Sequence, residues 1–203
     1  MADSKQHAPE TRAPGAVRRE DDEDAHLVGR FLRGDGAAFD QLVRAHQDRV
    51  ARLAYRLLGW SGEVDDVVQE VFLAVFKNVA RFRGECRVST WLTTITVNKC
   101  RSARRRRFAR LEFLRRLSDE PRAAASSPPA VEEGEAPAAL DRIRAAVQAL
   151  PARYREAVVL RYLEGMPIAE VGRAVGLSEG ATRVLLHRSR ARLKDRLADL
   201  VED

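Results

Sequence analysis

The sequence predicts an all-α protein made of two small helical domains joined by a flexible linker. Apolar residues recur at helical spacing through most of residues 25–117 and again through 140–200. A stretch rich in proline, alanine and acids lies between these two parts. The second part closes on a helix, a tight turn and a basic helix. These three observations favour two units of packed helices.

The composition indicates a polyanionic partner. The chain has 203 residues and a formal net charge of +6, with 33% charged and 6% aromatic residues. No apolar run approaches the roughly 20 residues that span a membrane, and the polar N-terminus is unlike a signal peptide. Cys86 and Cys100 lack metal-ligand spacing, and the histidines are scattered. We therefore expect a cytoplasmic protein with reduced thiols, no metal, no cofactor and no membrane insertion.

Two segments show no apolar period. Residues 1–24 carry prolines, a glycine and an acidic run, so we expect a disordered N-terminal tail. Residues 118–139 hold four prolines, seven alanines and five acids against one arginine. Such a segment cannot bury a core, so it is expected to be an extended linker. The predicted domains are therefore 25–117 and 140–203.

The strongest local pattern lies near the C-terminus. A short amphipathic segment is followed by Gly176, which suits the left-handed turn that ends a helix. Ser178 is a good N-cap for the next helix, whose inner face repeats Thr182, Leu186 and Ser189. Its other faces are basic. This is the build of a helix-turn-helix that enters the DNA major groove, although an ordinary helical hairpin with a solvated basic face has the same pattern.

The predicted helix at 63–79 has two unlike faces. One is a continuous stripe of valine and phenylalanine, and the other is acidic. Acids repel phosphate, so the second face is not expected to meet DNA. The residues alone leave two interpretations open: a solvated face, or a docking face for a basic protein surface. This acidic face consists of Asp65, Asp66, Gln69, Glu70 and Leu73.

A loop and a strongly basic helix come next. The loop has Gly84 at its centre, and Ser89 or Thr90 is expected to cap a helix that runs through Arg107. Between residues 99 and 116 there are nine basic residues and one acid. Such charge density binds phosphates by counterion release. A loop beside such a helix could hold an unstacked base.

These blocks, in this order and spacing, resemble an extracytoplasmic-function (ECF, group four) sigma factor of bacterial RNA polymerase. The resemblance covers about 25–117, which is similar to sigma region two, and 140–198, which is similar to sigma region four. The motifs of region two are Gly34-Asp35, Ala38-Phe39, Asp65 to Phe72, Arg81 to Gly84, Thr90-Trp91-Leu92 and Asn98. Those of region four are Leu150-Pro151, Tyr154-Arg155-Glu156, Leu160-Arg161, Ile168 to Val171, Gly176 to Gly180 and His187 to Arg190.

The resemblance implies roles for these residues. The acidic face would dock on the β′ clamp helices of core RNA polymerase, which favours the docking interpretation, and region four would lie near the β flap. The residues implied in capturing the promoter −10 element are Arg83, Gly84, Glu85, Cys86, Arg87, Asn98, Arg101 and Arg105. Those implied at the −35 element are Ser178, Arg183, Val184, His187 and Arg188.

The resemblance also implies an anti-sigma factor as a partner. The chain would be a monomer when free, a heterodimer with that partner, and associated with the nucleoid in the holoenzyme. It departs from the family pattern, which often has Ser and Arg where Val184 and Leu185 stand, and Ala-like and Thr residues at Gly172 and Ala181. Fewer polar groups would then face the bases, so the −35 sequence does not carry over from the family. Val184 could contact a thymine methyl instead.

No nucleophile–base pair, phosphate-cradling glycine loop or metal cluster is visible in the sequence, so we predict a subunit without a catalytic site. Three other classes compete with this prediction. A stand-alone helix-turn-helix regulator would need dimer symmetry and leaves the acidic face unexplained. A nucleic-acid-modifying enzyme would need a catalytic site, and none is visible in the sequence. A single-strand RNA binder relies on aromatic platforms, in which this chain is poor.

Overall fold

The computed structural model describes residues 14–117 and 138–198, which form eight α-helices and two short helical turns. No strand occurs within these two ranges, and the all-α prediction is confirmed. The helices are α1 (Pro14–Leu32), α2 (Gly36–Leu58), α3 (Val64–Asn78), α4 (Val88–Leu117), α5 (Ala138–Gln148), α6 (Ala152–Val158), α7 (Ile168–Val175) and α8 (Glu179–Arg196). We call α1–α4 the N-terminal unit and α5–α8 the C-terminal unit.

The first helix begins earlier than predicted. α1 is helical from Pro14, so the expected disordered tail is wrong for residues 14–24; residues 1–13 lie outside the described part. Proline suits the first helical turn because its missing N–H would have no partner there. The acidic run is tied to the unit where Asp24 Oδ1 lies 2.8 Å from His46 Nε2. Both side chains are largely buried. This long-range contact therefore holds the acidic run against the unit, although the run has no apolar residues at helical spacing.

The core of the N-terminal unit forms where the apolar stripes of its helices meet. α2 packs against α1, α3 and α4, and α3 also packs against α4. Burying each aliphatic side chain contributes roughly 1.5–3 kcal/mol, so these stripes hold the helices together. A single 3₁₀ turn, Val79–Arg81, links α3 to the loop before α4. The fully buried aliphatic residues here include Leu42, Leu53, Leu57, Leu58, Val67, Val71, Val75 and Val97.

The long basic helix extends beyond its predicted bounds. α4 starts at Val88 rather than at a Ser89 or Thr90 cap, and it continues past Arg107 to Leu117. The capping prediction fails because Thr90 is buried and its hydroxyl donates to Glu170 Oε2 at 2.7 Å, a residue of α7. The first turn of α4 is therefore part of a contact between the two units.

The C-terminal unit consists of short helices. α6 runs directly into one turn of π-helix, Val159–Leu163, before the chain reaches α7. The predicted linker, 118–139, lies outside the described residues except at its end, where α5 already includes Ala138. α8 packs on α6 and α7, and α7 also packs across α4.

The two units meet along a seam. Arg155 of α6 donates through Nη1 to the carbonyl of Leu57 at 3.0 Å, at the C-terminal end of α2, where a cation is favourable. Gln148 Nε2 donates to Arg56 O at 2.8 Å. Gly59 ends α2 with a left-handed φ of 84°, and a Cβ built there would overlap the Gln148 amide. The left-handed turn therefore favours glycine at this position, and a side chain there would have to displace the Gln148 amide.

Within the two described ranges, no helix is both long enough and apolar enough to cross a membrane.

Candidate docking face and nucleic-acid interface

The acidic face lies on the exposed side of α3. Val67, Val71 and Val75 turn inward, so the opposite side of the same helix points to solvent. Asp65, Asp66 and Gln69 are exposed, and Leu73 keeps 57% of its surface exposed. The structure thus brings four of the five predicted docking residues together on one open surface.

Glu70, the fifth member, is half-buried because it has partners on α4. Its carboxylate accepts a hydrogen bond from Arg106 Nη2 at 2.8 Å and lies 3.4 Å from Lys99 Nζ. Neither cation was expected to meet the acidic face. The partners lie 36 and 29 positions further along the chain, so helical spacing within α3 cannot reveal them.

Phe76 extends this face, although the pattern-based prediction placed it on neither side of the helix. Its ring contacts those of Phe31 and Phe39 at centroid distances of 5.4 and 5.3 Å. It still keeps 54% of its surface exposed. The only sequence signal was its position three residues after Leu73, which places the two on neighbouring turns of one face.

The loop between the 3₁₀ turn and α4, which we call the capture loop (residues 82–87), is anchored at its start. Phe82 packs on Trp91 with ring centroids 5.0 Å apart, so both aromatic residues serve in packing. Gly84 adopts a left-handed φ of 70°, a conformation that favours glycine. The side chains of Arg83 and Glu85 are 83% and 76% exposed, and Arg87 is also exposed. The loop therefore presents polar side chains to solvent, while the packing of Phe82 on Trp91 holds its start in place.

The two thiols are not ionised in their surroundings. Cys86 is half-buried in the capture loop, and burial raises the pKa of its thiol. Arg173 of α7 lowers the same pKa and Glu170 raises it, which shows that α7 lies close to the loop. Burial raises the pKa of the Cys100 thiol to about 12. Both residues are therefore in the protonated, less nucleophilic form near neutral pH.

The predicted strand-binding residues of α4 differ in their exposure and in their partners. Asn98 and Arg105 are exposed, as a role in binding requires. Arg101 instead faces the C-terminal unit, where its Nη2 donates to Glu156 Oε2 at 2.6 Å. Arg104, which was not among the predicted strand-binding residues, donates to the other oxygen of the same carboxylate at 2.6 Å. Helical spacing grouped Arg101 with Asn98 and Arg105 because it contains no information about the partner unit.

The helix-turn-helix has the predicted local geometry. Gly176 takes a φ of 72° after α7, and Ser178 caps α8 by accepting a hydrogen bond from Ala181 N at 3.3 Å. Thr182, Leu186 and Ser189 are buried on the inner face. These features depend on near neighbours in the chain, which explains why the sequence predicted them.

The outer face of α8 is open. Arg183, His187 and Arg188 are exposed, and Val184 keeps 51% of its surface exposed. Arg183 forms an ion pair with Glu179 one turn earlier. Leu185 is half-buried against the core. Its side chain therefore does not face the bases, and the departure there removes no polar group from the exposed face. Of the three family departures in this helix, those at Ala181 and Val184 are at exposed residues, and that at Leu185 is not.

The family departure at Gly172 has a structural explanation. A Cβ on Gly172 would lie 2.8 Å from the Leu177 carbonyl oxygen and 2.9 Å from Thr182 Oγ1. The first helix of the motif therefore approaches the turn and α8 too closely for a side chain.

In the part of the chain that the structure describes, no group of three or more histidine, cysteine, aspartate or glutamate side chains could hold a metal ion.

Comparison with known proteins assigns both units. Residues 42–110 match the family model described as sigma-70 region 2, and residues 140–193 match the one described as sigma-70 region 4. Two helical units with an exposed acidic helix and a helix-turn-helix, matched in this order, define an RNA polymerase sigma factor. The chain is 33% identical over 183 residues to the ECF RNA polymerase sigma factor SigM of Mycobacterium tuberculosis, covering 89% of this chain and 88% of SigM. It belongs to the ECF sigma factors.

Other relatives agree with this assignment. The ECF RNA polymerase sigma factor SigE of Mycolicibacterium smegmatis is 38% identical over 169 residues, which cover 81% of this chain and 65% of SigE. A solved structure of CnrH in complex with the cytosolic domain of CnrY has a TM-score of 0.63 and 29% identity, covering 87% of this chain and 98% of that one. The sigma factor RpoE of Bartonella quintana, solved with the anti-sigma factor NepR, shares the fold with a TM-score of 0.62 and 22% identity, covering 79% and 96%.

Proposed function

We propose that this chain is an alternative sigma factor that binds core RNA polymerase, directs it to promoters through −10 and −35 elements, and assists promoter melting. The chain itself would carry out no chemistry, since the polymerase supplies the catalytic site. The observation that carries this proposal is the presence of three separate exposed surfaces on one chain: the acidic face of α3, the capture loop and the outer face of α8. A stand-alone DNA reader needs only the last of these.

The acidic face is the proposed contact with the β′ clamp helices of the polymerase. Asp65, Asp66 and Gln69 would pair with basic and polar groups there, and the exposed Leu73 would fill an apolar pocket. Phe76 would enlarge that apolar anchor, because it lies one turn further along the same exposed side. Charged residues around an apolar centre give an interface its orientation as well as its affinity.

The capture loop is the proposed site for an unstacked base of the −10 element. Gly84, Glu85 and Cys86 would line the base, while Arg83 and Arg87 would approach the phosphates on either side. Each captured base contributes roughly 1–3 kcal/mol. Melting a duplex step costs on average about 1.4 kcal/mol of stacking. A few captured bases therefore offset the cost of opening a short segment.

The helix α4 is proposed to continue the path of the same strand. Asn98 and Arg105 are exposed and ready for this contact. Arg101 could take part only after it leaves Glu156, to which it donates three hydrogen bonds of 2.6–3.2 Å.

The outer face of α8 is proposed to read the −35 element in the major groove. Arg183, His187 and Arg188 supply hydrogen-bond donors, and Val184 supplies an apolar group that matches a thymine methyl. Ser178 would contribute at the start of the helix, since its hydroxyl can donate to a phosphate while it accepts the capping hydrogen bond. The unit would lie near the β flap of the polymerase.

We further propose that an anti-sigma factor controls the chain and that it acts in the cytoplasm, associated with the nucleoid in the holoenzyme. The support is the 29% identity with CnrH, which was solved in complex with the cytosolic domain of CnrY. The chain would be a monomer when free and would form a heterodimer with its partner.

The proposal is tested by reconstituted transcription. The purified chain is mixed with bacterial core RNA polymerase and a library of promoter fragments. The transcripts are then sequenced. We expect products that start at a shared pair of upstream elements and that require the added chain. Transcripts that are the same with and without the chain would refute the sigma assignment. Binding of isolated duplex promoter DNA as a dimer, without polymerase, would instead favour a stand-alone regulator.

A further inference from the structure

Glu179 forms an ion pair with one of the residues proposed to read the promoter. It is the first residue of α8, and its Oε1 accepts a hydrogen bond from Arg183 Nη2 one turn later. The side chains of Glu179 and Arg183 keep 48% and 65% of their surface exposed. A carboxylate that the sequence patterns did not select therefore lies directly beside a hydrogen-bond donor of the proposed −35 surface.

The next residue, Gly180, leaves the start of α8 open. Apart from its chain neighbours and the helix backbone, no heavy atom lies within 4 Å of the position that a Cβ would take there. Side chains on a helix lean toward its N-terminus, so Arg183 and Val184 extend over the turn that contains this glycine. The first residues of a recognition helix are those that meet base edges in the major groove. A base edge can therefore approach α8 at Gly180, with the Arg183 guanidinium close by.

A carboxylate at this position is unfavourable for DNA binding in itself. Phosphate groups repel it, and they line both sides of the groove that a recognition helix enters. The neighbouring exposed residues Arg183, His187 and Arg188 are all basic, so Glu179 is the acid among them. Glu179 therefore weakens binding to every sequence alike, unless its contact with Arg183 changes which sequence is bound.

From these contacts we propose that Glu179 is a positioning residue that sets specificity at the −35 element, because it holds the Arg183 guanidinium in an orientation that donates to a guanine. This rests on the proposed function of α8. Guanine is the base that arginine reads best, since its O6 and N7 accept two hydrogen bonds from the guanidinium fork. Glu179 engages Nη2 alone, which leaves the other N–H groups of Arg183 available to the base.

The ion pair improves selectivity in two ways. A free arginine side chain has many rotamers and loses their entropy when a base fixes it, whereas Glu179 already restricts Arg183 before DNA binds. An arginine without its carboxylate can also turn to a phosphate, which every sequence provides. Glu179 thus lowers the cost of the contact with guanine and disfavours the contact with the backbone. Both effects increase the difference in affinity between guanine and the other bases.

The test is transcription by the full-length chain with core RNA polymerase from a promoter library randomised at the −35 element. Arg183→Ala identifies the position that Arg183 reads, because the preference for guanine disappears there. Glu179→Ala should lower the preference for guanine at that same position by about three- to five-fold, the size expected for an exposed ion pair, and leave the other positions unchanged. The double variant Glu179→Ala/Arg183→Ala should match Arg183→Ala, since the carboxylate acts only through the arginine.

Two further variants serve as controls. Asp141→Ala removes an exposed acid and its 2.8 Å ion pair with Arg144 from α5 of the same unit, and it should keep the base profile of the parent chain. Glu179→Gln loses the charge but keeps an oxygen that accepts a hydrogen bond from Arg183, so it should retain most of the preference for guanine. It also protects the test against a weakened start of α8 in the alanine variant. Circular dichroism checks that each variant keeps its helical content.

Several results would overturn the positioning role. A Glu179→Ala chain with the base profile of the parent, whatever its yield of transcript, leaves Glu179 as a stabiliser of the helix start alone. A change in profile that persists without Arg183 shows that Glu179 contacts the DNA itself. An equal loss in Glu179→Gln or in Asp141→Ala assigns the effect to charge. Failure of the proposed function is distinct from these, because the parent chain then directs no transcripts and the role of Glu179 falls with it.

Discussion

Gly172 lies against Thr182 so closely that a Cβ on the glycine would be 2.9 Å from the threonine hydroxyl oxygen. We expect Gly172→Ala to destabilise the protein by about 1–2 kcal/mol, because the clash with Thr182 and the Leu177 carbonyl outweighs the better helix propensity of alanine. Chemical denaturation followed by circular dichroism measures the free energy of unfolding. Gly180→Ala is the matched control, since nothing lies within 4 Å of a Cβ there; it should stabilise the protein by up to about 1 kcal/mol. Equal effects at both positions would contradict the close approach.

Asp66→Lys should weaken binding to core polymerase by roughly thirty-fold, the effect of losing about 2 kcal/mol at an interface hot spot. Asp66 is exposed, so the fold should be unaffected. Competition with a labelled sigma factor for core polymerase measures the affinity. Asp48→Lys makes the same charge change on an exposed site of α2 and should have little effect. Reversal of Glu70 is a less clean choice because it also breaks contacts with Lys99 and Arg106. Unchanged affinity of the Asp66 variant would refute the docking assignment.

Val184→Ala should reduce the preference for thymine at one position of the −35 element. Each methyl lost from an apolar contact removes about 0.8 kcal/mol, which corresponds to roughly a four-fold change. Transcription from a promoter library randomised at that element gives the preference at every position. Leu185→Ala should leave the preference unchanged and lower stability instead, because Leu185 packs against the core. A variant at position 184 with the same base profile as the parent would exclude a thymine contact there.

Both thiols should react slowly with a disulfide reagent at pH 8. Burial raises the pKa of Cys86 and raises that of Cys100 to about 12, so each thiolate fraction is smaller than that of a free cysteine. Cys86 is half-buried and should react first, whereas Cys100 should react only as the chain unfolds. Absorbance of the released thiolate gives both rates. In denaturant the two should react alike, and a native Cys86 as reactive as glutathione would contradict the described surroundings.

The features that the sequence predicted well are local. The left-handed Gly176, the Ser178 cap and the buried face of α8 depend on residues within a few positions, and the inward valines of α3 follow from helical spacing. The features that it missed depend on distant partners. The acidic run of α1 was assigned to a tail because the contact of Asp24 with His46 spans 22 positions. Arg101 was assigned to DNA alone because Glu156 lies 55 positions away.

The sequence predicted which residues form the acidic face, but not how far that surface extends. Spacing along α3 placed Asp66, Gln69 and Leu73 together, and the structure shows them exposed. Spacing could not show that Phe76, packed on rings from α1 and α2, would also remain half exposed. The meaning of the face came from the family resemblance, since the residues alone left docking and solvation equally open.

Glu70 has a further consequence because it belongs to the acidic face and also neutralises Lys99 and Arg106 of the basic helix. Under the proposed function, polymerase that engages Glu70 withdraws its negative charge from those two cations and leaves them more attractive to phosphate. Thermodynamic linkage then requires the reverse effect: a DNA strand bound to α4 raises the affinity for polymerase by the same factor. The exposed pairs involved are worth little each, so this factor is small. Under the proposed function, this one carboxylate would thereby make polymerase binding and promoter binding cooperative.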